Sequence, residues 1–119
     1  MSRDPGRFTR SNRLTHPNEF RKVFRSSFRT EDEKFLLIAR SNGLGYPRLG
    51  MAIPRKRVRR AVTRNRLKRL IRESFRKHQV ILGDLDIVVM VNTDLENMDN
   101  RSISASINKQ WDKLIICGK

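Results

Sequence analysis

The sequence predicts an α+β fold, a small sheet packed with helices, and three observations carry that reading. A segment from about Ala61 to Lys77 places Leu67, Leu70, Ile71 and Phe75 at helical spacing. Phe35 to Ala39 and Leu85 to Val91 are almost wholly apolar and have the length of buried strands. Between them, RLGMAI alternates with a period of two. The coarse order is α, β, β, α, β, α, with helices expected to cover one side of the sheet.

Residues 1–13 carry four Arg, a Pro and a Gly without apolar period, and read as a flexible basic N-terminal extension. Residues 14–119 then make a single domain. Thr15 is the expected N-cap of the first helix, with Pro17 in its first turn. Phe20, Val23 and Phe24 share one side of that helix. Residues 27–33 are polar linker. SNGLGYP (Ser41 to Pro47) is turn material, since Asn42-Gly43 and Gly45 accept positive φ. In the strand that follows, Leu49, Met51 and Ile53 share one face, and Arg48, Gly50 and Ala52 the other. That second face is small, so something else can come close to it. Pro54 ends the strand.

The basic helix turns Asn65, Arg69, Arg72 and Arg76 away from its apolar side. Gly83-Asp84 leads into LDIVVMV, whose continuous apolar character marks a central strand. Asp99 or Asn100 caps a last helix, with Ile103, Ile107, Trp111, Leu114 and Ile115 as its core stripe.

A chain of 119 residues with 37% hydrophobic content builds one core without staples. It has no run approaching a membrane span and no signal-peptide h-region. The lone Cys117 excludes an intrachain disulfide and fits a reducing, cytoplasmic setting. Charge is the dominant property. Arg55 to Lys77 holds twelve Lys and Arg against one acid, Glu73, and so supplies +11 of the net +15. A solvated charged face is the plain alternative, but acids are too scarce to balance it; only Glu73 is placed to pair, with Arg69 or Lys77. Arg outnumbers Lys, which favours bidentate phosphate contact. Nucleic acid is the expected partner, and no membrane.

Catalytic chemistry is missing. His16 and His78 stand apart without metal-ligand spacing, and Cys117 lacks a neighbouring His or Cys. Asp84 and Asp86 flank a strand start without a third ligand. No phosphate-binding Gly-rich loop ends in Lys-Ser or Lys-Thr. The expectation is therefore no catalytic residue, no metal site and no cofactor bound by the chain alone. Phe20 and Phe24 are core residues by spacing; the alternative leaves one partly open beside Gly50 and Ala52, to stack on a nucleotide.

The run Arg64-Asn65-Arg66, set in AVTRNRLKRLIRESFR, closely resembles the signature of the protein subunit of bacterial ribonuclease P. NEFRKVF, PRLGMAIPRKRVRRA, DIVVMV and DNRSISASINKQW extend the likeness over nearly everything after Leu14. The resemblance implies an αβββαβα order, a ribosomal-protein-like domain with a left-handed βαβ crossover, and an extra short strand near Ser27 to Arg29. It implies a protein that assists a catalytic RNA in removing the 5′ leader from precursor tRNA, with magnesium supplied to the holoenzyme through that RNA. No obligate protein partner is implied. Carried onto this chain, the RNA-binding set is Arg55, Lys56, Arg57, Arg59, Arg60, Arg64, Asn65, Arg66, Lys68, Arg69 and Arg72. The leader-binding cleft is Phe20, Phe24, Ile38, Arg48, Ala52 and Lys56. The rival expectation is a non-enzymatic structural RNA-binding protein, ribosomal or an assembly factor; a sequence-specific DNA-binding protein ranks third, without an evident helix-turn-helix.

Overall fold

In the computed structural model of the chain, residues 10–25 and 28–117 are described, with side chains for 11–25 and 28–115. A 3-10 turn (Arg10–Asn12) precedes α1 (Pro17–Phe24), β1 (Phe28–Glu31), β2 (Phe35–Ser41), β3 (Arg48–Ala52), α2 (Ala61–Leu82), β4 (Leu85–Val91) and α3 (Asn100–Cys117). The order is the αβββαβα expected from the resemblance. The extra strand falls at Phe28–Glu31; Ser27 lies outside the described residues.

The sheet runs β1-β2-β4-β3. The most apolar strand, β4, is central, antiparallel to β2 and parallel to β3, so α2 is the crossover between the parallel pair. Register aligns three rows across one face: Leu36, Met90 and Ala52; Ile38, Val88 and Gly50; Arg40, Asp86 and Arg48. The opposite face carries Phe35, Leu37, Ala39, Leu49, Ile87, Val89 and Val91 into the main core, with Leu67, Ile71 and Phe75 of α2 and Ile103, Ile107, Trp111 and Leu114 of α3. Phe75 meets Trp111 edge-on at 6.0 Å, and the indole N–H donates to Ser74 Oγ at 2.7 Å.

Helices therefore cover both faces, and not one side as the element order implied. α1 packs Val23 against Ile38 and Val88 in a second, smaller cluster behind the sheet. A stripe of three apolar residues on a short helix says that it packs, without saying on which face.

Other boundaries move. His16, not Thr15, is the N-cap of α1, and its backbone N–H donates to Glu19 Oε1 at 3.2 Å. The N-terminal segment joins the fold before Leu14. Buried Asn12 donates to the Pro47 carbonyl at 2.8 Å, and Arg13 bridges Leu49 as a parallel addition to the β3 edge. Residues 10–13 are thus part of the domain, while residues 1–9 lie outside the described ones. Asp99 caps α3 through the Ser102 N–H at 2.9 Å. Glu73 pairs with Arg76 at 2.5 Å, an i, i+3 contact, and not with Arg69; Lys77 adds a weaker electrostatic attraction.

Candidate nucleic-acid interface

The strand β3 ends at Pro54, and the chain then crosses residues 55–60 as a turn before α2 begins. This loop carries five basic side chains yet has a defined shape, because buried groups hold it from within. Val58 is fully buried in the main core. Arg64 reaches back from the first turns of α2 and donates through Nη1 to the carbonyls of Ile53 at 2.8 Å and Val58 at 3.2 Å. Arg66 does the same for the next loop along, donating from Nη2 to the Met98 carbonyl at 3.2 Å. The two arginines of Arg-Asn-Arg are therefore anchors of backbone, and Asn65 between them is exposed.

Arg59 and Arg60 also have protein partners. Arg59 lies 3.5 Å from Asp94, and Arg60 Nε donates to Glu96. The hydrogen bond from Arg60, supported by the Thr63 hydroxyl and backbone N–H groups, holds the Glu96 carboxyl down to about 2. Among the described residues no acid pairs with Arg55, Lys56, Arg57, Lys68, Arg69 or Arg72. Those six carry no counter-charge within the described domain: three sit in the loop, and Lys68, Arg69 and Arg72 follow along about 6 Å of helix at 1.5 Å per residue. Val62, which the sequence reading passed over, stands 81% exposed on the same face as Asn65 and Arg69.

The residues expected in the leader cleft divide. Phe20 and Phe24 lie 6.4 Å apart, ring centroid to centroid. Phe24 is 41% exposed, whereas Phe20 lies over Gly50 so closely that a Cβ there would meet its ring at 2.7 Å. The space left by the small residue is occupied by Phe20 itself, which corrects the expectation of open room at that spot. Ile38 is buried beneath α1 and has no surface to offer a ligand. Arg48 is committed elsewhere. It grips Asp86 through two hydrogen bonds, at 2.8 and 2.7 Å, and also pairs with Glu19 of α1. Ala52 stays half-buried in the outer row with Met90 and Leu36, and Lys56 is exposed in the loop beyond.

A second concavity connects the two regions. A groove of about 180 Å³ is lined by Arg13, Leu14, Thr15, Phe20, Gly50 and Met51 on the sheet side and by Lys68 and Arg72 from α2. It joins an aromatic edge to two unpaired cations across the β3 edge. Among the described residues no group of three or more His, Cys, Asp or Glu converges to hold a metal ion, and no helix is long and apolar enough to cross a membrane.

The family model described as Ribonuclease P matches residues 8–115. The chain belongs to the ribonuclease P protein family. The ribonuclease P protein component of Nitrosococcus oceani is 44% identical over 108 residues, covering 91% of this chain and 91% of its own. That of Methylococcus capsulatus is 46% identical over 104 residues, covering 87% and 81%. Among solved structures, the RNase P protein of Thermotoga maritima superposes with a TM-score of 0.74 at 30% identity, covering 85% of this chain and 96% of that one. The Staphylococcus aureus protein shares the fold, with a TM-score of 0.78 at 24% identity over 86% of this chain and 94% of that one.

Within this ribonuclease P family domain, the structure adds residues that the sequence did not single out. Leu36 and Met90 extend the row of Ala52, and Arg13 and Leu14 wall the groove. Period-two alternation could have placed Leu36 and Met90 on the Ala52 face had the strand register been known. Nothing in the pattern before Leu14 announces a β-bridge.

Proposed function

We propose that this chain is the protein subunit of ribonuclease P, binding the catalytic RNA through the loop 55–60 and the exposed side of α2, and the single-stranded 5′ leader of precursor tRNA beside α1. The observation that carries this reading is the set of six unpaired cations on a rigid loop and helix, continuous through the groove with Phe20. Membership of the family supports it. Two polyanions, enzyme RNA and substrate, repel at close approach, and a cation of net charge +15 between them lowers that cost. On this reading hydrolysis falls to magnesium held by the RNA, and the chain supplies binding and positioning. The setting is cytoplasmic.

Reconstitution tests this. The purified chain, its cognate catalytic RNA and a precursor tRNA are combined at low magnesium, and mature 5′ ends are measured. Processing is expected with both components and with neither alone. A protein that binds the RNA without raising low-magnesium cleavage would be a structural RNA-binding protein instead. Specific cleavage by chain rigorously freed of RNA would overturn the division of labour.

A further inference from the structure

The loop between β4 and α3, residues 92–99, is acidic and lies beside the most basic part of the molecule. Its Leu95 is buried in the main core with Val58, and the Leu95 N–H donates to the Arg57 carbonyl at 3.2 Å. One residue on, Glu96 is buried too, and its carboxylate is wholly engaged by the segment that opens α2. Oε2 accepts the Arg59 backbone N–H at 2.9 Å. Oε1 accepts the Thr63 hydroxyl at 2.9 Å and the Nε of Arg60. Asp94 steadies the turn from below, accepting the Glu96 N–H at 2.8 Å.

Two details separate this from an ordinary surface ion pair. Arg60 is the N-cap of α2, and its side chain makes no capping hydrogen bond. A carboxylate from a loop more than thirty residues away supplies the negative charge that a helix N-terminus favours. Arg60 also uses only its Nε; its side chain remains 68% exposed, which leaves the two Nη groups for a phosphate oxygen. A free arginine would lose rotamer freedom on meeting RNA, whereas this one is already held.

We infer that Glu96 is a positioning residue for catalytic-RNA binding: its carboxylate fixes the basic loop 55–60 and aims the Arg60 guanidinium, although its own charge is the wrong one for an RNA interface. The inference rests on the reading that this loop and α2 bind the catalytic RNA.

The sign of the effect decides it. Simple electrostatics expects RNA affinity to rise when an acid beside Arg59 and Arg60 is removed. Positioning expects it to fall. The experiment measures binding of the full chain to its cognate catalytic RNA, with Glu96→Gln, Arg60→Ala, their double variant, and Arg69→Ala/Arg72→Ala as a separate arm. Circular dichroism and melting fix a temperature at which each is folded. Glu96→Gln is expected to bind roughly three- to tenfold more weakly, despite its added net charge, through loss of preorganisation. Its cost should shrink in the Arg60→Ala background, because Glu96 acts partly through that guanidinium. A loss of stability alone moves neither quantity. Arg60→Lys, which keeps the charge and deletes the Nε anchor at an exposed position, should weaken binding in the same direction if Glu96→Gln folds poorly. Affinity equal to or tighter than the parent in Glu96→Gln or Arg60→Lys, with loss in Arg69→Ala/Arg72→Ala, overturns the positioning role alone. Parent affinity in all of them overturns the underlying RNA-binding reading as well.

Discussion

Arginine does two different jobs in this chain, and residue type alone does not separate them. Arg69 and Arg72 lie on the unpaired face of α2, whereas Arg64, Arg66 and Arg48 are tied to carbonyls or carboxylates inside the domain. Sequence spacing gives a helical face, but a long side chain on its border can turn inward or outward. That is why the basic set was legible as a set and its inward members were not. The distinction has consequences for stability. Asp86 is buried, receives two hydrogen bonds from Arg48, and accepts a third from Asn42 at 2.9 Å. Arg48→Ala strands that carboxylate, and should cost roughly 3 kcal/mol in denaturant titration, the low end for breaking a buried pair because Arg48 keeps some solvent contact. Arg69→Ala should move stability by less than about 0.5 kcal/mol. Acid titration probes Glu96 in a similar way. Its folded pKa, about 2, lies below the ordinary 4.5, so its stabilising share is complete above about pH 4.5 and is lost as pH falls toward 2. Unfolding curves taken across that window should show stability declining with falling pH, and Glu96→Gln should flatten the decline. An equal decline in the variant would assign the acid sensitivity to other carboxylates.

At the level of elements, α2 shows both what periodicity reveals and where it stops. Leu67, Ile71 and Phe75 are buried and Leu70 half-buried, as the stripe required. The helix nevertheless continues five residues past Lys77 to Leu82, where Gly83 at φ 61° ends it. Val80 and Ile81 obscured the pattern because they are exposed, while the polar Gln79 is buried against Asn12. The polar side of the same helix carries a quantitative expectation. If Arg69 and Arg72 each neutralise one phosphate of the catalytic RNA, the double alanine variant should lower the log–log salt slope of binding by roughly 1.4 to 1.8, at ~0.7 to 0.9 per phosphate. Affinity measured from low to moderate salt reads this directly, and an unchanged slope assigns both residues to solvation. Leu70→Ala is the internal contrast. It should cost about 2 kcal/mol of stability, near the low end for a truncated core leucine since the residue is only partly buried, with the salt slope unchanged.

For the whole molecule, hydrophobic pattern specified the layers better than it specified their arrangement. The central strand and the α, β, β, α, β, α order follow from runs and stripes, whereas the extra strand at Phe28–Glu31 followed only from the family resemblance, because its residues read as polar linker. The placement of α1 behind the sheet depends on strand register, which fixes that Ile38, Val88 and Gly50 align beneath it. That register also decides where a leader can lie. The row beneath α1 is filled, with Phe20 over Gly50, whereas Leu36, Met90 and Ala52 in the next row are only partly buried and keep some exposed surface. A single strand held there would be bound by stacking and phosphate contact, largely without reading base edges. Ala52→Trp fills that row at its half-exposed end without entering the packed one. It should weaken binding of precursor tRNA with a leader of several nucleotides by about tenfold, equivalent to one lost stacking contact. Binding of mature tRNA and of the catalytic RNA should change little. Melting must first show an intact fold, because an overpacked sheet would weaken all three together. The deciding comparison is a precursor with a leader of several nucleotides against one with a single nucleotide, both in the reconstituted holoenzyme. A tryptophan that blocks the leader path penalises only the longer one; equal losses for both would place the leader elsewhere on the molecule.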